Sequence, residues 1–269
     1  MNKNKTLSLS ILSGKGGVGK TNIILNLGYA LHMAEKRALL MDCDLGLANL
    51  DVLLGISPDR NLSDLMQSGV TAEEVLVSIE DGFDMLPATS GVPELVEMDE
   101  DLQDILFSKL ITIAGEYDYL MLDLGAGISP TVLSLASLTQ LRLVVVTPEP
   151  TSLTDSYAMI KVLATQYGIK DFLVLVNQAT SASEANQTFD RLDAACRNFL
   201  GIELRNLGFI HQDPTVVESV RRQTPLMKFA PEAPAGKDIR SLAGRIMRYR
   251  EDNLARIAER PILRDFPDA

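Results

Sequence analysis

Residues 14–21 read Gly-Lys-Gly-Gly-Val-Gly-Lys-Thr, and their types and spacing point to phosphate chemistry. They match the pattern G-x-x-x-x-G-K-[ST] of a phosphate-binding loop, with Gly14, Gly19, Lys20 and Thr21 in the fixed positions. Glycines let a backbone turn tightly and direct several N–H groups at one phosphate chain. The Lys20 ammonium supplies a positive charge for the β- and γ-phosphates, and the Thr21 hydroxyl can bind Mg²⁺. The pattern therefore predicts a site for a nucleoside triphosphate with magnesium.

The segments on either side of this loop fit that interpretation. Residues 7–12 (LSLSIL) have the composition of a buried strand. After Thr21, the apolar residues Ile24, Leu27 and Leu31 recur at helical spacing. A strand, a glycine-rich loop and a helix in this order place the positive N-terminal end of the helix at the phosphates.

Carboxylates and an amide follow three further apolar segments. The second predicted strand runs into Asp42 and Asp44, Asp123 follows the segment YLML, and Asn177 follows FLVLV. Carboxylates at such positions can hold a metal ion and orient an attacking water in phosphoryl transfer. The alternative is that each one caps the turn that follows its strand. Asn177 is predicted either to contact a base edge or to form a turn.

Composition limits the class of protein. The chain has 269 residues, of which 46% are hydrophobic, and we predict a single domain over 1–269. A formal net charge of −11 argues against a protein that mainly binds nucleic acid. The two cysteines form no C-x-x-C pair, and the chain shows neither a signal peptide nor a membrane-spanning stretch, so we predict a cytoplasmic location.

Short apolar segments alternate with segments of helical periodicity along almost the whole chain. This alternation predicts an α/β fold with a doubly wound, mostly parallel sheet of about seven to eight strands and helices on both faces. The predicted strands are 7–12, 37–41, 83–86, 119–122, 142–146, 172–176 and 206–210. The predicted helices are 20–34, 63–78, 98–115, 130–138, 151–167, 183–199 and 214–222. Residues 229–236 are predicted to link into a C-terminal helix over 237–260.

With Lys15 included, the loop reads K-G-G-x-G-K-T and resembles the deviant Walker A motif of the MinD/ParA-type ATPases. The resemblance covers nearly the whole chain. It is carried by 41–55 (switch I), 123–129 (switch II), 176–178 (base recognition) and 209–225 (adenine loop). Residues 46–55 and 147–161 are most similar to the flagellar FlhG branch of the family, also called FleN or YlxH. His211 departs from the pattern, because many relatives have proline there.

The resemblance implies a role for each matching residue. Lys15 would reach the nucleotide of a second subunit, Asp44 would position the hydrolytic water, and Lys20 would act on the phosphates. Mg²⁺ would be held by Thr21 together with Asp42 and Asp123. The nucleotide would be contacted by Gly14, Lys15, Gly16, Gly17, Val18, Gly19, Lys20, Thr21 and Asn22 of the loop, and by Asn177, Gln212 and Asp213 on the adenine side.

The resemblance further implies an ATP-dependent homodimer with slow ATP hydrolysis. Such a switch would act on a protein partner in the flagellar machinery or another positioning system. A DNA-partition ATPase and a septum-site ATPase are the alternatives with the same chemistry. An iron–sulfur carrier would need clustered cysteines, and Cys43 and Cys196 stand in the wrong places for that family.

The C-terminal region 237–264 carries eight Lys or Arg and four Asp or Glu residues. Its apolar residues, including Ile239, Leu242 and Ile246, fall near helical spacing. A basic amphipathic helix of this kind can bind the inner face of a membrane peripherally. It can equally be a terminal helix that packs on the domain with its arginines in water.

Overall fold

A central sheet organises the computed structural model, which describes residues 4–44, 50–67, 69–87 and 100–264. Residues 45–49 of the predicted switch I segment lie outside the described residues. Within these described residues, the sheet has eight strands in the order β3-β4-β2-β5-β1-β6-β7-β8. All neighbouring strands are parallel except β3, which is antiparallel to β4. The strands are β1 (Leu7–Leu12), β2 (Ala38–Cys43), β3 (Val77–Glu80), β4 (Phe83–Leu86), β5 (Tyr119–Leu124), β6 (Leu141–Val146), β7 (Leu173–Ala179) and β8 (Arg205–His211).

Helices connect the successive strands other than β3 and β4, as the predicted alternation requires, and further helices follow β8. They are α1 (Lys20–Met33), α2 (Leu50–Leu54), α3 (Glu100–Ala114), α4 (Pro130–Leu138), α5 (Pro150–Gln166), α6 (Ala182–Leu200), α7 (Pro214–Arg221), α8 (Leu226–Phe229), α9 (Pro234–Asp252) and α10 (Leu254–Ala258). A short 3₁₀ helix covers Leu62–Met66. Several helices begin at side chains that accept N-terminal N–H groups, as Ser129 does for α4 and Ser181 for α6.

Both faces of the sheet are buried, which explains why its central strands are apolar throughout. In β2, Leu39 and Met41 pack with α3 to α6 on one face. Leu40 packs with α1 and α9 on the other face. Because successive side chains of a strand point to opposite faces, a strand covered on both faces shows no polar alternation. The predicted doubly wound α/β fold is confirmed.

The predicted helix 63–78 is wrong. The chain forms the 3₁₀ helix Leu62–Met66 and then β3, and between them Gly69 takes a left-handed φ of +90°. Strand β3 joins β4 through Asp81 and Gly82, and Gly82 has a φ of +76°. An Asp-Gly pair between two alternating segments is a strong hairpin signal, and it outweighs the weak helical spacing.

The C-terminal helix is longer at its start and interrupted near its end. Helix α9 begins at Pro234, within the segment that the sequence predicts as a linker, and it ends at Asp252. Asn253 separates α9 from α10. Ile239, Leu242 and Ile246 of α9 are buried against α1 and the sheet, so these apolar residues face the core.

Candidate active site

The loop between β1 and α1 holds the predicted phosphate-binding residues at the carboxyl edge of the sheet. Strand β1 lies between β5 and β6, so the loop leaves from the middle of the sheet. Gly17 and Gly19 have φ values of +78° and +92°, a region that favours glycine. Gly19 is the N-cap of α1, and its carbonyl accepts the Ile23 N–H at 3.0 Å. The N-terminal N–H groups of α1 therefore begin directly at the loop.

Gly14 and Gly16 have contrasting surroundings. A Cβ at Gly14 would lie 2.1 Å from the carbonyl carbon of Asp155, so the loop rests on the backbone of α5. A Cβ at Gly16 or Gly17 would have no neighbouring atom within 4 Å. The loop is thus closely packed on one side and open on the other, which leaves space for a ligand.

Lys20 is held inside the loop. Its side chain is buried, and its Nζ donates a hydrogen bond to the Ser13 Oγ at 2.9 Å. The Ser13 hydroxyl donates in turn to the Lys15 carbonyl at 2.7 Å. Burial lowers the pKa of Lys20, while the nearby carboxylates of Asp123 and Asp44 raise it. Ser13 therefore orients the loop lysine, a role that the Walker pattern does not reveal.

Asp42 and Asp123 lie side by side, because they are register partners on β2 and β5. Burial raises the pKa of Asp42 to about 6, and that of Asp123 to about 7. Both carboxylate oxygens of Asp123 are buried, and within the described part of the chain neither has a close hydrogen-bond partner. The Thr21 hydroxyl is close enough to Asp123 to lower its pKa in part.

These side chains fit a magnesium ion that also binds phosphates. Mg²⁺ is usually held by one or two carboxylates, a hydroxyl, waters and phosphate oxygens rather than by a cage of protein ligands. Within the described part of the chain, no group of three or more His, Cys, Asp or Glu residues forms such a cage. The buried Asp123 oxygens, which lack a close partner among the described residues, lie beside Thr21 and match a magnesium site that is shared with phosphates.

Asp44 lies at the same edge, one step beyond β2. Its backbone N–H donates to Asp42 Oδ1 at 3.1 Å. Its Oδ1 would lie 3.3 Å from a Cβ at Gly125, so a side chain there would crowd the carboxylate. The N–H of Gly127, which has a φ of +94°, donates to the Ser13 carbonyl at 2.9 Å. The segment after β5 is therefore hydrogen-bonded to Ser13, the residue directly before the phosphate-binding loop.

Lys15 leaves the loop and contacts the start of α5. Its Nζ forms an ion pair with the Glu149 carboxylate and lies 3.3 Å from Thr151 Oγ1. All three side chains reach solvent. The two lysines of the loop thus differ, because Lys20 is buried at the loop and Lys15 lies at the surface. Residues 147–161 resemble a segment of the family, but the resemblance does not predict this contact.

Asn177 is buried beneath the loop at the end of β7. Its Nδ2 donates to the Val18 carbonyl at 2.7 Å. Val18 is itself buried. Asn22, in the first turn of α1, is partly exposed, and its amide oxygen lies 3.3 Å from Asn26 Nδ2. The contact between Asn177 and Val18 joins two parts of the predicted site that are far apart in the sequence.

The predicted adenine-side residues follow β8. The Gln212 N–H donates to the Ala179 carbonyl at 2.9 Å, which places Gln212 beside the end of β7. The Asp213 carboxylate accepts the N–H groups of Thr215 at 2.9 Å and Ala235 at 3.1 Å. Asp213 therefore joins the start of α7 to the start of α9, in addition to any contact with a ligand.

His211 and several arginines take part in contacts within the fold. The Asp238 carboxylate accepts the backbone N–H of His211 at 2.8 Å and lies 2.7 Å from its Nδ1. Arg245 donates to the Leu207 carbonyl at 2.8 Å, and Arg250 pairs with Asp118 at 2.7 Å.

None of the described helices is long and apolar enough to cross a membrane.

Comparison with known proteins places these residues in a wider context. A model of the family of the cellulose biosynthesis protein BcsQ matches residues 6–247. The antiactivator FleN of Pseudomonas aeruginosa is 36% identical over 238 residues, which are 88% of this chain and 85% of FleN. The flagellum site-determining protein YlxH of Helicobacter pylori is 33% identical over 247 residues, 90% of this chain and 82% of YlxH.

Among solved structures, the chain is similar to one from the MinC:MinD cell division protein complex of Aquifex aeolicus. The TM-score is 0.70 at 29% identity, and the similarity covers 90% of this chain and 96% of that chain. Every predicted site residue, from Gly14 to Asp213, falls within the range that the family model matches.

Proposed function

Because the chain belongs to the MinD/ParA family of ATPase regulators of cellular positioning, which includes BcsQ, FleN and YlxH, we propose that it is an ATP-dependent switch. In this proposal, ATP binding brings two copies together as a homodimer, and slow hydrolysis to ADP and phosphate separates them. The process it regulates is flagellar number or placement, as the name of the flagellum site-determining protein YlxH suggests. The proposed location is the cytoplasm, where a flagellar or other positioning partner would be engaged.

One observation carries the chemical part of the proposal: the Asp123 carboxylate is buried without a close hydrogen-bond partner among the described residues, and it lies beside Thr21 at the edge where the phosphate-binding loop is open. A buried charge without partners is costly, and such groups are retained where a ligand satisfies them. A magnesium–ATP complex supplies the missing positive charge. A loop that served only as a turn would not need this carboxylate.

The residues divide the work of phosphoryl transfer. The N–H groups of the loop and of α1 would bind the phosphates, and Lys20, oriented by Ser13, would neutralise their charge. Thr21, Asp42 and Asp123 would hold Mg²⁺, which supplies further charge neutralisation when bound. Asp44 would orient the attacking water, because its carboxylate lies at the same edge as Asp42.

Lys15 supports the proposed dimer. Its surface position leaves its ammonium outside the loop that contains Lys20. If the Lys15 ammonium left Glu149 and contacted the phosphates bound by a second subunit, it would bring an extra positive charge to the transition state there. Hydrolysis would then require assembly, so that turnover limits the lifetime of the dimer.

DNA partition receives less support from the described surface. The net charge is −11, and nonspecific DNA binding depends on free basic side chains. Arg240, Arg245 and Arg250 of α9 are bonded to groups within the fold.

An iron–sulfur carrier is also disfavoured. Cys43 and Cys196 are both buried, so neither is accessible to an iron–sulfur cluster shared between two chains.

The test is molar mass in solution, measured by light scattering together with phosphate release. We expect a monomer with ADP, a dimer with ATP, and a persistent dimer without hydrolysis for Asp44→Ala. Lys15→Ala should bind ATP but remain monomeric and lose hydrolysis on the order of 100-fold. Its matched control is Lys170→Ala, an exposed lysine before β7, which should behave as wild type.

Two outcomes would contradict the proposal. A molar mass that ignores nucleotide while hydrolysis persists would exclude action of Lys15 across an interface. The second outcome is that ATP drives dimerisation but removal of the gene leaves the number of flagella, counted by electron microscopy, unchanged. This result would exclude the flagellar role and retain only the ATP-dependent switch.

A further inference from the structure

The side chain of Asn177 holds the phosphate-binding loop by its backbone. Its Nδ2 donates to the Val18 carbonyl at 2.7 Å, and Asn177 is only 8% exposed. The same Nδ2 would lie 2.7 Å from a Cβ at Gly19. The amide therefore lies directly against the Val18–Gly19 peptide, which is trans.

This single hydrogen bond sets the orientation of a whole peptide plane. The C=O and N–H of a trans peptide point in opposite directions. Because the Val18 carbonyl is directed at Asn177, the Gly19 N–H is directed away from β7. Gly19 has a φ of +92° and no side chain, so little else in that residue restricts the rotation of the plane. Asn177 supplies the restriction.

The end of β7 is shaped so that Asn177 reaches the loop. The register between β7 and β8 shifts between Val176 and Ala179. Within that irregularity, Gln178 takes a left-handed φ of +58°, which is uncommon for a residue other than glycine. Asn177 is buried, whereas Gln178 is exposed. A local departure from strand geometry of this kind often marks a functional position.

We propose that Asn177 is a positioning residue for the phosphates: it fixes the Val18–Gly19 peptide so that the Gly19 N–H is available to a bound triphosphate. This inference rests on the proposed nucleotide binding. It differs from the base-reading role that the family resemblance implies, because it acts on the part of the ligand that all nucleoside triphosphates share. Loss of Asn177 should then weaken binding whether or not a base is present.

The experiment compares ATP, GTP and inorganic tripolyphosphate, which has no base, by calorimetric titration with magnesium. Asn177→Ala should weaken ATP and tripolyphosphate alike, by about tenfold. The ratio of ATP to GTP affinity should stay at the wild-type value. Asn177→Asp keeps the size of the side chain but replaces the donor by an acceptor, so its loss should be at least as large.

Matched controls separate this role from a general loss of structure. Asn198→Ala changes an exposed asparagine at the end of α6 and should leave all three affinities unchanged. Thermal unfolding without nucleotide checks that each variant is folded. Should Asn177→Ala fail to fold, Asn177→Asp and Asn177→Ser, which keeps a shorter donor, give the same comparison.

The outcomes distinguish the two proposals. If Asn177→Ala weakens ATP but leaves tripolyphosphate unchanged, with a lower ratio of ATP to GTP affinity, Asn177 reads the base and the inference is overturned. Unchanged affinities for all ligands would also overturn it. If the wild-type protein binds neither ATP nor tripolyphosphate, the proposed function fails as well.

Discussion

Asp42 and Asp123 are paired directly across β2 and β5, and each is almost completely removed from water. Burial is the main cause of the raised pKa of both carboxyls, and the Asp42 carboxylate raises the pKa of Asp123 further. Lys20 is the nearby positive charge that partly offsets this shift. Without a bound cation, the carboxyl groups of Asp42 and Asp123 are therefore protonated more readily in the folded protein than they would be in water.

The first prediction concerns Asp123→Asn in EDTA without nucleotide. At pH 8 this change should raise the free energy of unfolding by about 1 kcal/mol, because it removes a buried charge whose desolvation outweighs the stabilising effects of Thr21 and Lys20. The folded pKa is raised from 3.8 to about 7, so stability falls as pH rises through this window and the carboxyl ionises. At pH 5 the difference should shrink. Thermal unfolding at both pH values measures it.

The same variant should lose magnesium-dependent hydrolysis, so that stability and activity change in opposite directions. Asp190→Asn is the matched control, because Asp190 is exposed on α6. Destabilisation by Asp123→Asn at pH 8 would contradict the prediction.

The second prediction compares Gly14→Ala with Gly16→Ala. The Cβ that Gly14→Ala adds would require a shift of the loop or α5, since it would lie 2.1 Å from the Asp155 backbone. We expect Gly14→Ala to lower the free energy of unfolding by about 1–3 kcal/mol in the absence of nucleotide. Gly16→Ala should leave it unchanged, because the space there is open. Urea unfolding provides the comparison, and equal losses in both variants would show that the loop does not rest on α5.

The fold and the family were predictable from the sequence, and both are confirmed. Strands buried on both faces give apolar runs, and the glycine-rich loop is a local motif, so both are visible in short segments. Strand β4 was predicted but its partner β3 was not, because residues 63–78 were assigned to a helix, whereas Val77–Glu80 pair with β4 across the Asp81–Gly82 turn. The order of the strands in the sheet also depends on long-range pairing.

The contacts around the loop could not be read from the sequence. Asn177 and Val18 are 159 residues apart, and Lys15 and Glu149 are 134 apart. A local pattern does not specify which distant side chain meets a loop carbonyl or an exposed ammonium. The sequence predicted that Lys15, Lys20, Asp44, Asp123 and Asn177 belong to one site, and the roles assigned to them stay predictions.

The third prediction concerns the Asp213 carboxylate, which caps α7 and binds the Ala235 N–H. Burial raises its pKa, but the hydrogen bonds from Thr215 and Ala235 lower it below 3.8 on balance. A lowered folded pKa gives stability that is present above the ordinary value and is lost as pH falls. Asp213→Ala should therefore cost about 1 kcal/mol at pH 7 and less as the pH falls below about 4. Urea unfolding across this range measures the effect.

Asp213→Asn is the matched variant, because an asparagine oxygen can still cap the helix without a charge. It should lose less stability than the alanine variant at pH 7. A cost of Asp213→Ala that is independent of pH would show that the carboxylate charge does not contribute.

The fourth prediction separates a packed C-terminal helix from a membrane-binding one. Ile246 of α9 is fully buried against the sheet, whereas Arg248 is more accessible on the same helix. Ile246→Ala should lower the free energy of unfolding by about 2–4 kcal/mol, the cost of a cavity in the core. Arg248→Ala should leave unfolding unchanged. Sedimentation with anionic vesicles, with ADP and with ATP, measures membrane binding of both variants.

If α9 stays in place during the cycle, Ile246→Ala should act on stability, and any binding to anionic vesicles should depend on accessible cations such as Arg248. This binding would decrease with salt, because the accessible charges are screened. The contrary result is that Ile246→Ala leaves stability unchanged but abolishes vesicle binding in ATP, which would show that α9 does not stay in place. The apolar face of α9 would then leave the domain and enter the membrane when ATP binds.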